Sequence, residues 1–178
     1  MKQTATIFLL LMGIINFNAN AQTNDTASHG YIVKVGDIAP DFETVLHDST
    51  TFKLSDNRGK IVMLQFTASW CGVCRKEMPF IEDEIWQKLK NKDFILIGID
   101  RDEPIEKVKE FIDQTKITYP LALDPGSNIF SKYALKEAGV TRNVIINRNG
   151  KIIYLTRLFN REEFDAMKKI IFDESEKK

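Results

Sequence analysis

An apolar run that must be covered on both faces leads straight into the chain's only two cysteines. Ile61 to Phe66 is apolar except for Gln65, the composition of a central strand packed between two layers. Ser69-Trp70-Cys71-Gly72-Val73-Cys74-Arg75-Lys76-Glu77 follows, and Met78, Ile81, Ile85 and Leu89 then recur at helical spacing. The first cysteine therefore stands at a helix start, where free backbone N–H groups and the helix dipole stabilise a thiolate. Its partner one turn later can close a small, easily reduced disulfide. A strand, a turn and a helix around such a pair point to a dithiol–disulfide exchanger.

Blander readings of the pair fare worse. A structural zinc site needs four ligands, and the two histidines, His29 and His47, lie in no paired ligand motif. A c-type haem site needs His directly after the second cysteine, where this chain has Arg75. A structural staple is poorly served by so short a loop, because closing it removes little unfolded-chain entropy. No metal and no cofactor is expected.

The N-terminus sets the compartment. Lys2 precedes a nearly unbroken apolar stretch, Ile7 to Ile15, and Ala19-Asn20-Ala21 has the small-x-small pattern of a cleavage site. Residues 1–21 are expected to be a signal peptide, since the apolar run is shorter than the about 20 residues that span a bilayer. An uncleaved anchor helix is the alternative. No cysteine near the site supports a lipid-modified terminus. Export changes what two cysteines mean, because a secreted chain that relies on disulfides for stability carries several bridges. Removing residues 1–21 leaves 24 basic and 25 acidic side chains, a net charge of −1. That balance offers nothing to nucleic acid or to an anionic membrane.

Residues 22–35 read as a flexible polar leader, 36–172 as one folded domain and 173–178 as a frayed charged tail. Phe42 to Leu46 and Thr51 to Leu54 flank His47-Asp48-Ser49-Thr50 as a β-hairpin. Pro79 should kink the first helix. Phe94 to Ile99 is a second buried strand, and Pro104 opens a helix with Ile105, Val108, Phe111 and Ile112 as its stripe. Leu121 to Leu123 is extended, Asp124-Pro125-Gly126 turns, and Asn128 to Tyr133 reads as a short helix. Val144 to Ile146 and Ile152 to Leu155 form a hairpin across Asn149-Gly150. Asn160 with Glu163 resembles a capping box for a last helix buried through Phe164, Met167 and Ile171. This order predicts an α/β fold, a mixed central sheet flanked by helices, with an N-terminal β-hairpin extension.

Four segments in order resemble the thioredoxin superfamily, and within it the exported TlpA/ResA-like thiol-disulfide oxidoreductases. They are Gly36 to Phe42, Phe66 to Cys74, Glu77-Met78-Pro79, and Val144 to Ile152. The resemblance implies a thioredoxin-like fold, Cys71 as the attacking thiol, Cys74 as the buried resolving thiol and a redox-active Cys71–Cys74 disulfide. Trp70 would shape the partner surface, with core packing as the plainer reading. Glu77 matches an acidic residue near the thiols, with a solvated surface glutamate as the plainer reading. Protein thiols and disulfides are the implied partners, with a membrane electron donor upstream and apocytochrome c maturation as one family role.

Two residues depart from the family pattern. Gly72-Val73 stands between the cysteines where thioredoxins usually have Gly-Pro. Alignment through Gly150 puts Thr141 at the family's cis-proline position opposite the disulfide. A non-proline cis bond costs about 2.5–4 kcal/mol, which favours a trans loop. Two rivals stay open. Thr141 and Asp37 to Phe42 also resemble peroxiredoxins, although Ala68, not Thr, lies three residues before Cys71 and Thr67 is one further away. A non-catalytic, metal- or protein-binding domain is the other. The expected function is a periplasmic reductant of exported disulfide proteins, free of the membrane once the signal is removed.

Overall fold

The strand that ends at the cysteines is the middle of the sheet. The structure is a computed structural model that describes residues 29–177, so the expected signal peptide (1–21) and residues 22–28 of the leader lie outside the described residues. All seven residues of β3 (Ile61–Thr67) are buried. β3 pairs in parallel with β4 (Phe94–Arg101), which pairs in parallel with β5 (Leu121–Asp124). On its other side β3 runs antiparallel to β6 (Arg142–Ile146), and β6 to β7 (Ile152–Arg157), giving the order β5-β4-β3-β6-β7. This is the expected thioredoxin-like mixed sheet. A separate hairpin of β1 (Glu43–Val45) and β2 (Thr51–Lys53) precedes it.

Alternation along β3 divides the core in two. Ile61 and Met63 join Met78, Ile81, Ile85, Phe111, Phe164, Met167 and Ile171. Those residues come from α1 (Gly72–Ile81) and its extension, α3 (Ile105–Thr115) and α4 (Arg161–Glu176). Val62, Leu64 and Phe66 join Phe42, Phe52 and Leu54 of the hairpin region and Phe130 and Tyr133. Helices therefore cover one face, while the hairpin and short 3₁₀ turns cover the other. The helix expected over Asn128 to Tyr133 is only a 3₁₀ turn, Phe130–Lys132. The hairpin also shields the β5 edge: Thr44 Oγ1 donates to the Leu123 carbonyl at 2.6 Å and Leu46 bridges Ala122.

Pro79 lies inside α1 and withholds an N–H from the carbonyl one turn back. The helix continues as a π-helical turn, Glu82–Trp86, and then α2 (Gln87–Leu89), so the expected irregularity takes that form. Two expected boundaries are corrected. The folded part starts before Gly36, because Tyr31 and Val33 are core residues and the Tyr31 hydroxyl donates to the Thr156 carbonyl at 2.6 Å. The expected frayed tail is helical to Glu176, where Arg148 Nη1 donates to the Glu174 carbonyl at 2.7 Å. A cation on a terminal carbonyl suits the negative end of a helix.

Candidate active site

The C-terminal end of β3 releases the chain into a turn in which Cys71 N donates to the Ala68 carbonyl at 3.0 Å. Cys71 then caps α1 in an extended conformation, and its Sγ accepts from Cys74 N at 3.2 Å. A sulfur at this position lies against the unpaired N–H groups of the first helical turn, which favour negative charge on it. Cys71 and Cys74 form a disulfide with a Cα–Cα separation of 5.3 Å. The pair is asymmetric: Cys71 is 7 % exposed and Cys74 0 %. Of the two, only Cys71 keeps any exposure.

Thr141 comes from the loop entering β6. Its hydroxyl lies 3.1 Å from Cys71 Sγ and 3.3 Å from Cys74 Sγ. A disulfide has no S–H, so the hydroxyl is the donor in this state. The Thr141 carbonyl accepts from Leu158 N at 3.2 Å, tying the loop to the end of β7. There is no cis peptide among the described residues, so the bond before Thr141 is trans. Thr67, which a peroxidase reading would draw toward the thiol, points away and meets Met78 Sδ at 3.9 Å.

Trp70 is 66 % exposed beside this sulfur, so it serves no core. Glu77 is 2 % exposed, so it is no surface glutamate. It faces the sheet from α1, above the in-register pair Gln65 and Asn143. Asn143 Nδ2 donates to Glu77 Oε1 at 2.7 Å and to Thr156 Oγ1 at 2.9 Å. Tyr119 OH donates to Gln65 Oε1 at 2.7 Å. Glu77 Oε2 has no partner. Burial pushes the Glu77 carboxyl up to about 7, only partly offset by the Asn143 and Gln65 amides. Gln65 and Asn143 were not singled out as site residues from the sequence. The available signal was their polarity inside otherwise apolar strands. Among the described residues no three His, Cys, Asp or Glu side chains converge as metal ligands.

The family model described as Redoxin matches residues 34–171. The chain is 32 % identical over 152 residues to the thiol-disulfide oxidoreductase ResA of Bacillus thuringiensis subsp. konkukian, covering 83 % of this chain and 82 % of that one. It is similar to the solution structure of a proposed protein disulfide isomerase from Bacteroides thetaiotaomicron, with 61 % identity, a TM-score of 0.81 and coverage of 83 % and 94 %. It is also similar to the crystal structure of a proposed thiol:disulfide interchange protein DsbE from Chlorobium tepidum, with 28 % identity, a TM-score of 0.69 and coverage of 79 % and 97 %.

Proposed function

The chain belongs to the Redoxin family and is a thiol-disulfide oxidoreductase of ResA/DsbE type with a Cys-x-x-Cys disulfide, and from that premise we propose that it is exported and reduces disulfides in other exported proteins. The observation that carries the reading is the asymmetry of the pair, an outward Cys71 at a helix N-terminus over a buried Cys74. In the reduced protein the Cys71 thiolate attacks one sulfur of a partner disulfide, and the other partner sulfur leaves as a thiolate. Cys74 then attacks Cys71 Sγ and expels the second partner thiolate, which takes up the proton that Cys74 releases. The enzyme is left as the Cys71–Cys74 disulfide and the partner has gained two electrons. A membrane-bound dithiol donor returns the enzyme to its reduced form. Thr141 supports the Cys71 sulfur, and Trp70 offers an apolar surface to the partner chain. Export rests on Lys2, the Ile7 to Ile15 run and Ala19-Asn20-Ala21.

The test is a reduction potential together with partner trapping in the exported fraction. A value near about −270 mV supports a reductant, and one near about −120 mV makes the protein an oxidant. Cys74→Ser should accumulate mixed disulfides with exported proteins, and Cys71→Ser should not. The 61 % identity to a proposed disulfide isomerase favours a second reading, isomerisation. Recovery of activity by a scrambled disulfide protein, without net reduction, would favour that reading.

A further inference from the structure

Ser69 anchors the turn that presents Trp70 and Cys71, and all its polar atoms are engaged. Its N–H donates to Glu103 Oε2 at 2.5 Å and its hydroxyl to Glu103 Oε1 at 2.6 Å. Its carbonyl accepts from Arg75 Nε at 2.7 Å. Arg75 is itself fixed, donating to Gln114 Oε1 at 2.9 Å and lying 4.7 Å over the Phe111 ring. Glu103, in the loop after β4, thus grips the chain two residues before the outward sulfur.

Asp100 lies next to that grip. It pairs in register with Thr67, the last residue of β3, and its side chain is fully buried. Neither Asp100 oxygen meets a donor when both carboxylates are ionised, yet Glu103 is within hydrogen-bonding reach. Two carboxylates cannot bond to each other, but one proton between them makes the bond. Glu103 already accepts from Ser69 at both oxygens, so the proton belongs on Asp100, which donates to a remaining lone pair. Burial first, and then the neighbouring Glu103 and Asp124 charges, push Asp100 up to about 8. The other charges around it are committed. Asp124 at the end of β5 accepts from Ile129 N and Phe130 N at 2.7 and 2.9 Å. Arg101 turns to the other face of the sheet, 4.1 Å over Phe130, and Arg75 on α1 holds Ser69. Among the described residues no cation forms an ion pair with either carboxylate.

We propose that Asp100 and Glu103 are a one-proton carboxyl pair that positions the Ser69–Cys71 turn for thiol exchange, Glu103 gripping Ser69 and Asp100 holding Glu103. The inference rests on Cys71 as the exchanging thiol. Ionising Asp100 would set a buried negative charge against the part-buried Glu103 carboxylate and loosen the grip on Ser69. Exchange should therefore stop gaining from thiolate formation, and fall, above about pH 8.

The experiment measures reduction of oxidised glutathione by the full chain, and Cys71 alkylation, from about pH 6 to about pH 9.5. If Cys71→Ser exchanges as fast as the unmodified protein, the reading of Cys71 fails before this inference is reached. Given that control, Glu103→Ala should slow exchange about tenfold through misplacement of the sulfur. Glu103→Gln should restore most of the rate, because its amide oxygen can accept from Ser69 N and its amide nitrogen can donate to Ser69 Oγ. Ser69→Ala should add nothing in the Glu103→Ala background. Asp100→Asn keeps a donor toward Glu103 and cannot ionise, so it should extend activity above pH 8. A Glu103→Ala rate within about twofold of the unmodified protein, in a folded chain, overturns the proposal. So does an Asp100→Asn pH profile superimposable on the original. If Glu103→Ala does not fold, the Gln and Asn variants decide the matter alone.

Discussion

At the scale of single residues, the hydroxyl of Thr141 stands where it can serve both redox states. In the disulfide it donates to sulfur, and after reduction the same O–H can donate to a Cys71 thiolate. Thr141→Val removes the hydroxyl and keeps the branched shape. The Cys71 titration should then move up toward the free-thiol value of about 8.5, read from the pH dependence of its alkylation. An unchanged titration would leave Thr141 a packing residue. A functional role for Glu77 would act through charge. Burial raises its carboxyl to about 7, so above neutrality it would oppose a thiolate one helical turn away. Glu77→Gln should shift thiol ionisation to lower pH and remove an inflection near neutrality from the exchange profile. A superimposable profile would confine Glu77 to a structural role. The sequence marked Cys71, Cys74, Trp70, Glu77 and Thr141 because each sits in a short segment with a recognisable neighbour pattern. It did not mark Asn143 as a site residue, since its bond to Glu77 spans 66 positions and depends on strand register.

At the scale of elements, packing is tight where β4 lies beside β5 in the sheet, with Gly98 in register with Leu121. A Cβ at Gly98 would lie 2.1 Å from Leu121 Cδ2 and 3.4 Å from Tyr119 Cε2. Gly98→Ala should cost about 1–3 kcal/mol by overpacking. The side chain that must give way is Leu121. A thermal melt checks this, with about 2–4 °C lost per kcal/mol for a chain of this size. The elements that were legible beforehand have local signatures: the apolar run of β3, the stripe of α1, and the last helix, where Asn160 Oδ1 accepts from Glu163 N at 3.1 Å. Less legible was what covers the second face of the sheet. A hairpin and 3₁₀ turns carry no long periodicity, and the π-helical turn after Pro79 looks in sequence like uninterrupted helix.

For the molecule as a whole, buried carboxyls raised by the fold shape how stability responds to pH, Glu77 and Asp100 most strongly among them. Glu77 and Asp100 ordinarily titrate at 4.5 and 3.8 and are raised to about 7 and about 8 in the fold. A raised group contributes stability that is complete below its unfolded value and is lost as pH climbs through its folded value. The partly exposed Glu84, held low by bonds from Arg161 and Lys168, has already made its contribution at mildly acid pH. The thermal midpoint of the oxidised protein should therefore fall between about pH 5 and about pH 9. Glu77→Gln combined with Asp100→Asn should flatten that decline, and a decline of unchanged slope would refute the assignment. Tyr31 carries a different consequence, one of timing. Its hydroxyl donates to the Asn143 and Thr156 carbonyls, 112 and 125 positions further along. Closing so long a loop is entropically costly and slow. Tyr31 is made early in synthesis and docks late, when the two strands that receive it exist. Until then the Asn143 and Thr156 carbonyls on β6 and β7 lack the Tyr31 donor.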